Sequence, residues 1–147
     1  MSPIADLLST DHIHCDALFA DAEEATAERD WAAAGRIFAD FRGAMDRHLA
    51  AEEDTLFPAF EARTGMRGGP TQVMRAEHEQ MRGLLEQMQT AVERHNDAAY
   101  LGLAETLLML MRQHNMKEEQ ILYPLSDQAL GDDAALVGTL DQTLHPA

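Results

Sequence analysis

Apolar positions along this chain recur at intervals of three and four, the period of a helix with one buried face, rather than in the two-residue rhythm of a strand. Leu8, His12, Cys15, Phe19 and Ala22 form one such stripe and predict a helix over about 4 to 28. Asp30 then stands as N-cap to a second helix from 31 to about 62, with the stripe Phe38, Phe41, Met45, His48 and Glu52. Clustered glycines and a proline over 64–70 predict a linker. A third helix carries Met74, His78, Met81, Leu85 and Met88, and Asn96 caps a fourth with Leu107, Met111, His114, Glu118 and Leu122. A short fifth helix is predicted over about 133 to 144. Pro58 and Pro124 each remove a helical hydrogen bond and should kink or end their helices beyond the glutamates. Short connections make successive helices antiparallel. The expected fold is therefore all-α, an up-down-up-down four-helix bundle with a short fifth helix, built from two pseudo-symmetric hairpins in one domain over 1–147.

The stripes carry polar residues where a core would be apolar, and these residues repeat. A shift of 66 residues lays His12 on His78, His48 on His114, Glu52 on Glu118, Met45 on Met111, Asp11 on Glu77, Glu53 on Glu119 and 56–58 on 122–124 without a gap. Helix geometry allows a check on depth. His12 lies 17 residues before Arg29, and His48 lies 17 after Trp31. At ~1.5 Å per residue both sit ~25 Å from that turn, at one level of the bundle. His95 and Asp97 give the same spacing for His78 and His114. All six residues are thus expected in one layer.

Histidine and glutamate four apart on a helix differ by about 40° in rotation, so His48 and Glu52 point together, as do His114 and Glu118. Two divalent ions sharing the two carboxylates, with two imidazoles apiece, would compensate charge in a core that could not otherwise hold buried glutamate. A buried hydrogen-bonded network without any ion is the structural alternative. It would have to arise twice, in register. An imidazole and carboxylate set with no repeated cysteine points to iron or manganese rather than a structural zinc site, although zinc can occupy such donors.

Composition narrows the partners. Eleven Lys and Arg face 26 Asp and Glu, a formal charge of −15 that repels phosphate backbones and anionic lipid alike. Neither nucleic acid nor membrane is expected as a partner. No basic leader with a long apolar run opens the chain, and one cysteine cannot form an internal disulfide, so a cytoplasmic setting is expected.

The repeated words resemble those of the hemerythrin-like proteins with the HHE cation-binding domain, and the resemblance covers essentially the whole chain. Its signature, His-x-x-x-Glu followed by an apolar-aromatic-Pro triplet, stands at 48–58 and again at 114–124. A ferritin-like site would instead need Glu-x-x-His. The resemblance implies a four-helix bundle around a non-heme centre of two iron ions, oxo- or hydroxo-bridged when oxidised, with His12, His48, Glu52, His78, His114 and Glu118 as ligands. The oxygen-carrying hemerythrins use five histidines, with His-x-x-x-His on the third helix. Here Arg82 stands four residues after His78, so four histidines and two glutamates are expected to leave more positions open. That favours reaction with oxygen, peroxide or nitric oxide over reversible carriage.

Several further residues accompany this set. Cys15 and its repeat-equivalent Met81 lie one turn after His12 and His78; sulfur ligation or sensing is the sharper reading, core filling the plainer and preferred one. Met45 and Met111 would supply an apolar shell. Asp16 and Arg82 could pair across the first and third helices or gate the site, with an ordinary flank ion pair preferred. Tyr123 could donate to a ligand carboxylate or carry an electron; its counterpart Phe57 cannot donate, and that mismatch favours packing. His14 and His145 are expected in solvent, and His95 at a helix end. Three functions remain: a di-iron protein that binds or reacts with small diatomic or peroxide ligands, an iron storage, delivery or repair protein, and a di-iron oxidoreductase such as a peroxidase or nitric-oxide reductase.

Overall fold

The computed structural model describes residues Ser2–Pro146. Four long helices form the frame: α1 (Pro3–Ala27), α2 (Trp31–Ala51), α4 (Pro70–Glu93) and α5 (Asp97–Lys117). Short α-helices α3 (Phe57–Thr64) and α6 (Tyr123–Leu130) extend α2 and α5, and α7 (Ala134–Leu144) follows. The expected fifth helix is therefore α7, capped by Asp133 through the Leu136 N–H.

Each frame helix packs on two others: α1 on α2 and α5, α4 on α5 and α2. The cross-helix contacts run in opposite sequence sense. Ile4 meets Asp127 where His12 meets Glu119, and Thr71 meets Glu61 where Arg42 meets Glu86. Neighbouring frame helices are thus antiparallel, with α1 diagonal to α4. α7 lies against α2, with Leu136, Leu140 and Leu144 buried.

The two hairpin turns repeat as faithfully as the sequence. Arg29 and His95 adopt left-handed backbone, φ 60° and 54°. The next residue, Asp30 or Asn96, returns its N–H to a carbonyl five residues back (Ala25 or Ala91), closing the helix end in a Schellman turn. The same residue's side chain then caps the following helix at Ala33 or Ala99.

Between α2 and α3, and again between α5 and α6, a single π-helical turn intervenes, at Glu52–Leu56 and Glu118–Leu122. Its closing bonds run from the Phe57 N–H to the Glu52 carbonyl and from the Tyr123 N–H to the Glu118 carbonyl. Pro58 and Pro124 explain the location. In a continuous α-helix each ring would strike the carbonyl four residues back; the wide turn moves it aside and sets proline in the first turn of a new helix. The interruption begins at the glutamates themselves rather than beyond them, as the prolines alone suggested.

Two apolar clusters divide the interior. One, toward the hairpin turns, contains Cys15, Phe19, Phe38, Phe41, Met45, Met81, Leu85, Tyr100, Leu107 and Met111. The other, toward α3, α6 and α7, contains Ile4, Leu8, Leu56, Phe57, Phe60, Met74, Leu122 and Tyr123. The histidines and glutamates occupy the layer between.

Candidate metal centre

All six sequence-predicted residues meet in that layer. Each is buried: His12 is 5% exposed, His48 3%, His114 1%, and Glu52, His78 and Glu118 are inaccessible. Donor atoms of Glu52, His78, His114 and Glu118 lie within 4.8 Å of one another, as do those of His12, His48 and Glu118. Glu118 belongs to both groups. Glu52 approaches both pairs as well, with one oxygen 3.0 Å from His78 Nε2 and the other 3.7 Å from His48 Nε2.

Every imidazole is fixed from behind by a carboxylate. Nδ1 lies 2.7 Å from Glu119 in His12, 2.7 Å from Asp11 in His48, 2.7 Å from Glu53 in His78 and 2.9 Å from Glu77 in His114. A carboxylate only accepts, so Nδ1–H donates, and in a neutral ring Nε2 then presents its lone pair inward. These are the carboxylate–histidine pairings that orient metal-binding imidazoles and raise their basicity.

The consequence is electrostatic. Glu52 Oε1, His78 Nε2, His114 Nε2 and Glu118 Oε2 are buried and lack a hydrogen-bond partner. His78 Nε2 and Glu52 Oε1 are only 3.0 Å apart, so lone pairs face lone pairs unless a positive charge stands between them. Protons can supply it. Burial, the largest single influence, opposes charge on His48, yet the Glu52 charge and the Asp11 hydrogen bond leave it raised to about 10. His114 follows the same balance, burial against Glu118, and rises to about 9. The nitrogen and oxygen donors, their number and their uncompensated lone pairs fit two divalent cations, for which these protons would be exchanged.

The four outer carboxylates were not singled out as site residues from the sequence. A signal was present, because Asp11/Glu77 and Glu53/Glu119 are repeat pairs directly beside the histidines and glutamates. Adjacent positions on an α-helix lie ~100° apart, so they read as flank rather than interior. Here they reach sideways to the neighbouring helix.

Of the other predicted residues, Met45, Met81 and Met111 belong to the apolar floor beneath the layer. Cys15 does too; its thiol, pushed up by burial, points at Asp11 Oδ2 from 3.8 Å. Arg82 forms an ion pair on the flank, as preferred, but with another partner. It holds Glu53 through two bonds of 2.8 Å rather than pairing with Asp16, which lies on the diagonal helix. Asp16 instead lines a groove of about 450 Å³ between α1 and α5 with Phe19, Leu108, Arg112 and Glu119. His14 and His145 are exposed, and His95 stacks on Trp31 at 4.8 Å.

Tyr123 overturns the preference for plain packing. Its hydroxyl lies 2.7 Å from Glu52 Oε2 and 2.9 Å from Glu118 Oε1, inside the layer. The π-turn is the reason. Five residues along an α-helix rotate a side chain about 140° away, whereas a turn closed from i to i+5 returns it to the starting face.

A sequence model of the hemerythrin HHE cation-binding domain matches residues 4–126. No curated protein and no solved structure matches the chain.

Proposed function

From the chain's membership of the hemerythrin HHE cation-binding family, a family of iron-type metal sites, we propose that it is a non-heme di-iron protein that binds or reacts with oxygen, nitric oxide or peroxide. In this reading His12 and His48 hold one ion, His78 and His114 hold the other, and Glu52 and Glu118 serve both. The carrying observation is the set of four buried donor atoms, Glu52 Oε1, His78 Nε2, His114 Nε2 and Glu118 Oε2, that have no hydrogen-bond partner. Bound iron would supply redox chemistry and coordination positions for a small ligand.

The chain's own residues do the rest. Asp11, Glu53, Glu77 and Glu119 hold the imidazoles in the required tautomer and orientation. The apolar clusters on both sides exclude bulk water. The groove between α1 and α5 runs to Glu119, behind His12, and offers a small molecule an approach from solvent. Storage and delivery rank lower, because donors this deeply buried do not favour release to another protein. Among the described residues no helix is long and apolar enough to cross a membrane.

Anaerobic loading with ferrous iron tests the reading. Two irons per chain are expected, followed by a visible band when oxygen or nitric oxide is admitted. Failure to retain iron, or retention with no spectral response to either gas or to peroxide, would refute it. Repeated turnover with an added reductant would identify an enzyme, and transfer of iron to an apo acceptor a delivery protein.

A further inference from the structure

Phe57 and Tyr123 are repeat-equivalents, each opening the α-helix after a π-turn. Their rings are placed alike. Phe57 stacks on His78 at 5.6 Å and 27°, Tyr123 on His12 at 5.6 Å and 26°. The difference is one oxygen, and it falls among the donors of the first half. The Tyr123 hydroxyl lies 3.2 Å from His12 Nε2, 3.4 Å from His48 Nε2, 2.7 Å from Glu52 Oε2 and 2.9 Å from Glu118 Oε1. On the Phe57 side the corresponding four atoms have no partner.

A phenol has one proton and cannot satisfy four inward-facing acceptors. Its oxygen nevertheless lies among these donors, within 3.4 Å of each. The ring is inaccessible to solvent and packed in an apolar cluster, which keeps the hydroxyl beside the donors. Whatever the four donors bind will have that oxygen as a neighbour.

The surrounding charge is unequal in the same sense. Behind His78 and His114, Glu53 is held by Arg82 and Glu77 by Lys117. Behind His12 and His48, Asp11 meets the Cys15 thiol beside its bond from His48, and neither Asp11 nor Glu119 has a Lys or Arg within 4.0 Å among the described residues. The half with the extra oxygen is also the half with more uncompensated negative charge.

We propose that in the iron-loaded protein the Tyr123 oxygen ligates the ion held by His12 and His48, while the ion held by His78 and His114 has no such ligand. The proposal rests on the di-iron reading above. Ligation forms one oxygen–iron bond and breaks the phenolic O–H, whose proton leaves to solvent with the others that the metal displaces; no electron is transferred. The two metal positions are then chemically distinct, and the Tyr123 position favours the more highly charged ferric ion.

Protein loaded with two ferric ions tests this without reference to activity. A phenolate-to-iron charge-transfer band and tyrosinate ring vibrations in resonance Raman are expected, with two unequal ferric doublets by Mössbauer spectroscopy. Tyr123→Phe should abolish the band and vibrations while iron stays at two per chain. Tyr100→Phe, which alters the other tyrosine, in the distant cluster, should leave both intact. Two ferric ions per chain in the unaltered protein without tyrosinate vibrations would overturn the proposal alone. A chain that takes up no iron would overturn the di-iron reading and this proposal with it.

Discussion

Each histidine of the centre is defined by what holds its outer nitrogen. Nδ1–H commits to Asp11, Glu53, Glu77 or Glu119, and only Nε2 remains for the interior. Asp11→Asn keeps an acceptor for His48 but removes its charge. Iron affinity should fall about tenfold, the lower end of the range for such outer carboxylates, in competition with a calibrated chelator. Unchanged affinity would mean that Asp11 does not tune the site. In the metal-free protein, protons occupy the same donors. His48 and His114 rise from 6.5 to about 10 and about 9, so their contribution is complete below about 6.5 and lost as pH climbs through those values. Asp11, Glu53 and Glu77 are shifted down: burial pushes each up, but His48, Arg82 and Lys117 respectively lead the hydrogen bonds that outweigh it. Their contribution is lost as pH falls below the ordinary carboxylate range. Metal-free protein should therefore unfold at the highest urea concentration between about pH 5 and 7 and at lower concentrations near pH 10. A midpoint that rises steadily to pH 10 would contradict the balance of charges described.

At the level of elements, the turns and the π-turns carry most of what is particular to this chain. Arg29 has left-handed backbone without being glycine, which costs about 1 kcal/mol. Arg29→Gly should raise the melting temperature by roughly 2–4 °C, since its side chain makes only one 4.0 Å surface ion pair with Asp97. His95→Gly should gain less, because it forfeits the stack on Trp31. Equal gains in calorimetry would show that the stack contributes nothing. These turns, their caps and the five expected helices were legible in the sequence, because Asp30, Asn96 and the linker over 64–70 are local signals. The layer of six residues was legible because the 66-residue repeat and the turn-to-histidine spacing are properties of helices alone. Tyr123 was not. An α-helical count rotates it off the site, and only the π-turn that accommodates Pro124 brings it back. For Arg82 the ion pair was legible but not its partner, which depends on which helices are neighbours in the bundle.

For the whole molecule, a polar layer between two apolar clusters is a weak plane unless something positive occupies it. In the proposed reading each hairpin contributes to both ions: Glu118 of the second serves the His12 and His48 position, and Glu52 of the first serves the His78 and His114 position. Iron would then clasp the hairpins together, and its binding energy becomes folding energy. At free iron about 1,000-fold above the dissociation constant, one site adds ~4 kcal/mol, and for a chain of this length that is roughly 10 °C. Removing iron with a chelator should lower the melting temperature by at least that much and return it on reloading. Glu118→Ala should bring metal content to half or less and abolish most of the increment, because both groups of donors share that residue. Glu118→Ala cannot be compared with the unaltered protein on stability alone, since the variant also relieves a buried carboxylate; the iron-dependent difference within each protein is the quantity to measure. A full iron-dependent increment retained in Glu118→Ala would mean that the hairpins are joined by apolar packing and that the metal lies elsewhere.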